Sequence, residues 1–182
     1  MAIDLAAVFR KSFHLCGCKV YKCGGDMEYI IREIKESEYP VLASFLYEAI
    51  FIPEGEDKPP KSVIEKPELQ LYISGFGKEH DKCLVAETGN KIVGAVWTRI
   101  INDYGHIDDE TPSLAISLYK EYRNMGIGTG LMAEMLKLLK DNGYKRVSLS
   151  VQKANYAASM YKKAGFEVVY ENKEEYIMAC KL

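Results

Sequence analysis

The chain has 182 residues, 48% of them hydrophobic and 27% charged, with a formal charge of -2. That length suits one domain with a substantial core, and near-neutrality argues against a general nucleic-acid binder or a basic membrane-surface protein. No apolar run reaches the roughly 20 residues needed to cross a bilayer, and five cysteines make no even disulfide framework, so a protein of the reducing cytoplasm with no membrane contact is expected.

Residues 1–26 are unlike the remainder. Ile3 to Phe9 is apolar but short, Arg10 and Lys11 follow it, and no small-residue cleavage site comes after, which argues against a signal peptide. His14, Cys16, Cys18 and Cys23 are zinc-ligand types, but the Cys-x-Cys pair is tighter than the spacing of zinc sites. Reduced thiols and no metal are expected. Gly24-Gly25-Asp26 can be encoded as GGAGGTGAT, a bacterial ribosome-binding sequence, directly before Met27. The expected division is therefore an extension over 1–26, outside the native domain if translation starts at Met27, and a domain over 27–182. Other codons for those three residues would remove the idea of a later start.

Tyr29 to Ile34 alternates as a first strand. Ser37 and Glu38 start a helix with Pro40 in its first turn and Val41, Leu42, Phe45, Leu46 and Ala49 at helical spacing, ending near Pro53. The charged, proline-rich stretch Glu54 to Pro60 leads to a second helical stretch from Ser62 to Ser74, broken near Pro67. Lys82 to Glu87 and Ile92 to Ile100 form a hairpin around Thr88-Gly89-Asn90-Lys91, with Trp97 as core or pocket wall. Asn102 to Pro112 is polar and acidic and reads as exposed connection. Ser113 to Tyr119 is the next strand.

After it comes Tyr122-Arg123-Asn124-Met125-Gly126-Ile127-Gly128-Thr129-Gly130, then an amphipathic helix from Leu131 to Lys140 that stops at Asn142-Gly143. A glycine loop opening a helix presents unpartnered amides and a positive dipole end, which together hold phosphate. A Walker loop would need Lys then Ser or Thr after Gly130, where Leu131 and Met132 stand, and the dinucleotide fingerprint would need glycine at Leu131. Val147 to Val151 is a strand. Asn155 to Phe166 is a short helix with Asn155 at or near its N-terminal cap and Gly165 at its stop, and Glu167 to Glu171 and Glu175 to Lys181 are closing strands.

Arg123-x-x-Gly126-x-Gly128 before a helix, followed by Asn155-x-Ala157-x-x-Met160-Tyr161-x-x-x-Gly165-Phe166 after the next strand, resembles the GNAT superfamily of acyl-CoA-dependent N-acyltransferases. The resemblance implies an α/β (α+β) fold: a mixed, mostly antiparallel sheet of about six or seven strands flanked by about four helices. It also implies acetyl-CoA as co-substrate, an amine acceptor, and direct attack with no acyl-enzyme. The backbone of Ile116, Ser117 and Leu118 would pair with the pantetheine arm, an amide at or beside Leu118 polarising the thioester carbonyl. Arg123, Asn124, Met125, Gly126, Ile127 and Gly128 would wrap the pyrophosphate, with Thr129 at the helix start. Asn155 would contact the CoA arm, and Tyr161 would stand near the sulfur. The helical region before Ser74 would line the acceptor pocket.

A thiol near 8.5 and a phenol near 10 make full proton donation by Tyr161 uphill by about 2 kcal/mol, so its role is chiefly a hydrogen bond to the departing sulfur. The acceptor amine must be neutral to attack. At pH 7 a lysine-like amine is neutral less than about one part in a thousand, an α-amino group about one in six. Relatives that acetylate protein N-termini often carry glutamate where this chain has Ser150, which weighs against that acceptor. Glu110 is the preferred base, with Asp108, Asp109, Glu48 and Glu54 as other candidates. Cys83 and Cys180 read as inert strand thiols. The competing reading is a non-catalytic acyl-CoA-binding or sensing module, and the open edge of a split sheet points to a homodimer.

Overall fold

The structure is a computed structural model that describes residues 20–23 and 27–182; His14, Cys16, Cys18 and Gly24 to Asp26 lie outside the described residues. The strands are β1 (Val20–Cys23), β2 (Met27–Glu33), β3 (Lys82–Thr88), β4 (Lys91–Arg99), β5 (Ser113–Leu118), β6 (Arg146–Gln152), β7 (Glu167–Glu171) and β8 (Glu175–Lys181). The helices are α1 (Leu42–Ala49), α2 (Pro67–Gln70), α3 (Ile127–Asp141) and α4 (Ala157–Lys163). Among the described residues the eight strands make one sheet in the order β1-β2-β3-β4-β5-β6-β8-β7. Every neighbouring pair is antiparallel except β5 beside β6. The mixed, mostly antiparallel sheet is as expected, with one strand more. Val20–Cys23 pairs with β2 from Val20 opposite Ile30 to Cys23 opposite Met27, a register set by the partner strand rather than by any local signal. No helix of the described residues is long and apolar enough to cross a membrane.

The first expected helix begins as a 3-10 turn, Glu36–Val41, and becomes α-helical only at Leu42. Pro40 has no amide to donate, and the Glu38 carboxylate is taken by both ends of the Arg32 guanidinium at 2.7 Å and by the Lys35 amide at 2.9 Å. The second stretch is broken where expected, into a 3-10 turn over Lys61–Glu65 and α2 starting at Pro67.

The sheet has one apolar layer on each face. Leu131, Met132, Met135 and Leu139 recur at helical spacing along α3 and bury against Leu84, Ala86, Val96, Leu149 and Met178. On the opposite face, Leu42, Phe45 and Leu46 of α1 bury against Cys83, Val85, Ala95 and Trp97. Full burial of such side chains stabilises by roughly 1.5–3 kcal/mol each.

β4 also holds the segment that follows α2. Trp97 Nε1 donates to Tyr72 O at 3.1 Å. The Arg99 guanidinium donates to Leu71 O (2.9 Å), Ser74 O (2.8 Å), Gly75 O (3.3 Å) and Asp81 Oδ1 (3.0 Å), and lies over the Phe76 ring. Arg99 and Asp81 are both almost fully buried. Arg99→Met would leave the buried Asp81 carboxylate without its cation, held only by the Gly77 and Lys78 amides, and three carbonyls without their donor, and should lower unfolding free energy by about 3–5 kcal/mol in denaturant titration. An unchanged midpoint would contradict this clamp.

Candidate active site

The parallel strands β5 and β6 meet at one point, Ser113 beside Ser148, where Ser148 N donates to Pro112 O at 3.0 Å. Beyond it they diverge. Tyr119 N donates to Val93 O of β4 at 3.1 Å. Because peptide groups alternate in direction along a strand, Ser117 also turns its amide to β4, whereas Ile116 and Leu118 turn theirs into the gap toward β6. Ile116 and Leu118 are only half-buried although β5 is a central strand. Ser117 has its hydroxyl on the α1 face, donating to Phe45 O at 2.6 Å.

The glycine loop lies at the wide end. Asn124 and Gly126 take left-handed backbone angles (φ 61° and 83°), and α3 starts after Gly126 without a side-chain cap. The amides of Asn124, Met125, Gly126, Ile127, Gly128 and Thr129 have no acceptor among the described residues; the helical ladder resumes with Gly130 N donating to Gly126 O at 3.0 Å. Successive unpaired amides at a helix start form a ready cradle for anionic oxygen. A Cβ on Gly128 would lie 3.3 Å from Leu118 Cδ1 and 3.7 Å from Met160 Sδ, so the start of α3, the end of β5 and α4 converge there.

The Arg123 side chain is engaged elsewhere. Its Nε donates to Leu118 O at 3.0 Å and its terminal nitrogen to Glu48 Oε2 at 2.8 Å, tying the end of β5 to α1. Glu48 also meets Lys58 at 3.1 Å. Asn155 lies one residue before the N-cap Tyr156 of α4, its Oδ1 accepting from Ala157 N at 2.9 Å. Tyr161, next to Met160, is buried against Phe166, and its hydroxyl has no hydrogen-bond partner among the described residues. Burial, with a smaller contribution from Tyr156, raises its pKa above the ordinary phenol value.

The remaining base candidates are dispersed. Glu110 and Asp109 are exposed on the turn before β5, beside the closed end of the gap, and Glu54 is exposed in its loop. Asp108 is held below the usual carboxylate range by the Thr111 hydroxyl, the Glu110 amide and Arg146, with which it forms an ion pair. The connection from 102 to 112 is not the exposed loop expected: Gly105, Thr111 and Pro112 are buried. A Cβ on Gly105 would lie 2.7 Å from Ser113 Oγ and 3.1 Å from both Leu149 C and Ser150 N, so only glycine lets this loop press onto β6.

That close approach assembles a polar group with no sequence motif. Asp103 accepts from Ser113 Oγ (2.6 Å) and Gly105 N (3.1 Å), and lies beside the half-buried Tyr72 phenol, whose pKa is raised by burial and then by Asp103. Beside it the Glu175 carboxylate lies 3.4 Å from Ser150 Oγ. These residues come from four separate segments and follow no spacing rule. The one available signal is Ser150 itself, a polar residue on an apolar strand.

Residues 34–166 match the sequence profile of the Acetyltransferase (GNAT) family. The chain belongs to that family. It is a GNAT N-acetyltransferase, of a family that uses acetyl-CoA. It is 30% identical over 122 residues to an N-alpha-acetyltransferase of Sulfurisphaera tokodaii, covering 58% of this chain and 72% of that one. It is 32% identical over 114 residues to an N-alpha-acetyltransferase of Sulfolobus acidocaldarius, covering 54% and 67%. Among solved structures, the paia N-acetyltransferase of Thermoplasma acidophilum in complex with coenzyme A superposes with a TM-score of 0.62 at 23% identity, covering 86% of this chain and all of that one. The GNAT domain of S. lividans PAT gives a TM-score of 0.65 at 14% identity, covering 91% and 97%.

The Tyr161 environment has a pH consequence for this GNAT fold. Its phenol stays protonated in the folded state where an unfolded tyrosine, near 10, already ionises, so its contribution to stability is complete below about pH 10 and declines above it. Between pH 9 and 11 the wild type should lose more unfolding free energy than Tyr161→Phe. Parallel curves for the two proteins would contradict the raised pKa.

Proposed function

We propose that this N-acetyltransferase moves the acetyl group of acetyl-CoA to a primary amine by direct attack in a ternary complex, with peptide or protein α-amino groups as the favoured acceptors. The observation that carries the reading is the unpaired β5 edge running from a single bridge at Ser113 to a row of free amides at Asn124 to Thr129. The amides and dipole of α3 take the diphosphate, with no need of a metal. The pantetheine amides pair with the Ile116 and Leu118 backbone, in place of the strand partner that β6 withdraws.

In this arrangement the Leu118 amide donates to the thioester oxygen as charge develops there. The amine nitrogen attacks the carbonyl carbon, the tetrahedral intermediate collapses, and the C–S bond breaks. Tyr161 donates a hydrogen bond to the departing thiolate. With its pKa raised, the phenol remains neutral and full proton transfer to sulfur is more costly than the about 2 kcal/mol of an ordinary tyrosine. The free Tyr161 hydroxyl favours turnover over mere binding of acyl-CoA.

Two considerations favour an α-amino acceptor. The Sulfurisphaera and Sulfolobus relatives are named N-alpha-acetyltransferases. An α-amino group is also already neutral to about one part in six at pH 7, so it makes the lighter demand on a site with Ser150 in place of a carboxylate. A homodimer would use the β7 edge, where Val169 and Tyr170 are exposed.

Thiol release from acetyl-CoA should be fastest with peptides bearing a free N-terminus, and slower with N-blocked lysine peptides and polyamines. Equal rates on N-blocked lysine peptides would overturn the acceptor class. Tyr161→Phe should lower turnover about tenfold or more, and unchanged turnover would remove Tyr161 from the reaction.

A further inference from the structure

The transfer needs somewhere for the amine proton to go, and the carboxylates around the gap differ sharply in their partners. Glu48 is paired with Arg123 and Lys58, Asp108 with Arg146, and Asp81 with Arg99. Asp103 is taken by Ser113 Oγ and the Gly105 amide. Glu175 is half-buried and has no cationic partner among the described residues. Its one side-chain contact is Ser150 Oγ at 3.4 Å, long for a hydroxyl–carboxylate bond, so the carboxylate is oriented yet still able to take another donor.

Its position fits the chemistry. Ser150 lies two residues along β6 from the Ser113–Ser148 bridge, where the strands have begun to part. In the antiparallel pairing of β6 with β8, Ser150 faces Ile177 and Gln152 faces Glu175, so Ser150 and Glu175 share one face of the sheet. That face also carries α1, Tyr72 and the Gly105 loop, whereas Tyr161 belongs to the opposite layer. Sulfur and amine would thus be served from opposite sides of the gap.

We propose that Glu175, oriented by Ser150, is the general base of the transfer. This rests on the acetyltransferase reading above. The Glu175 carboxylate takes one proton from the acceptor's ammonium group, leaving a neutral amine whose lone pair forms the N–C bond of the tetrahedral intermediate, and the C–S bond breaks as that intermediate collapses. Glu175 passes its proton to solvent, the nitrogen, cationic once bonded to carbon, gives up a second proton to solvent as the amide forms, and the departing thiolate takes one proton from solvent, so that one proton is released overall.

The titratable group nearest this carboxylate is Tyr72 from the segment after α2, on which Asp103 and Tyr104 from the β4–β5 connection also act. Lys153 at the end of β6 is paired with Glu171 and lies over Tyr176. The β7–β8 turn is held by Asn172 Oδ1, which accepts from the amides of Glu174 (2.8 Å) and Glu175 (2.7 Å), so an isosteric change of the side chain leaves it intact.

The test compares wild type, Glu175→Gln and Glu110→Gln by thiol release from acetyl-CoA with a free-N-terminal peptide from pH 6 to 9, with thermal melts as a check on folding. Glu175→Gln should melt like the wild type and keep its KM for acetyl-CoA. It should lose about tenfold or more in kcat at pH 7 and approach the wild type near pH 9, where the acceptor is already neutral. An equal kcat at pH 7, the same loss at every pH, or a loss that follows Glu110→Gln instead would overturn the assignment and leave the acetyltransferase reading standing. A wild type that releases no thiol with any amine would take both down.

Discussion

The structure depends on a backbone constraint: β5 and β6 share one bridge and then part, although each is an interior strand with a neighbour on its other side. Peptide groups turned into such a gap must find partners, and an unpartnered backbone group away from water costs about as much as a lost hydrogen bond. Two solutions exist, solvent or a ligand with its own amides. The second explains why an acyl carrier with a peptide-like arm suits this sheet, and why the gap opens toward a helix start that can hold the carrier's phosphates.

Both ends of the gap are fixed by specific contacts. At the closed end, Ser113 bonds Asp103, and Gly105 brings the β4–β5 connection against the β6 backbone more tightly than any side chain would allow. At the open end, Arg123 ties the last carbonyl of β5 to Glu48 of α1, and Gly128 permits α3, β5 and α4 to converge. The segment carrying Tyr72 is anchored to the same sheet through Trp97 and Arg99 of β4, which bind its carbonyls. The gap and the segment carrying Tyr72 are therefore positioned by the neighbouring strands β5 and β4.

What was legible in the sequence was local. The glycine loop, Asn155 beside the cap of α4, the Gly165 stop and the alternating strands each signal through residues a few positions apart, and seven of the eight strands fall where the pattern places them. β1 was not legible because four residues acquire strand character only from the partner beside them. Arg123 illustrates a different limit: a cation after a strand reads as a phosphate ligand, yet its guanidinium is engaged by a carboxylate 75 positions earlier in the chain. The polar group of Tyr72, Asp103, Ser150 and Glu175 exists only in three dimensions. It is assembled by a buried glycine in a loop whose charge made it look merely exposed.

On this reading the free amides after Arg123 and the gap-facing amides of β5 bind the CoA carrier. Backbone amide chemical shifts during titration with coenzyme A test it most directly. The largest shifts should fall on Asn124 to Thr129, with a second group at Ile116 and Leu118, and ADP should reproduce only the first. Saturable binding that leaves both groups unmoved, or no binding at all, would contradict it.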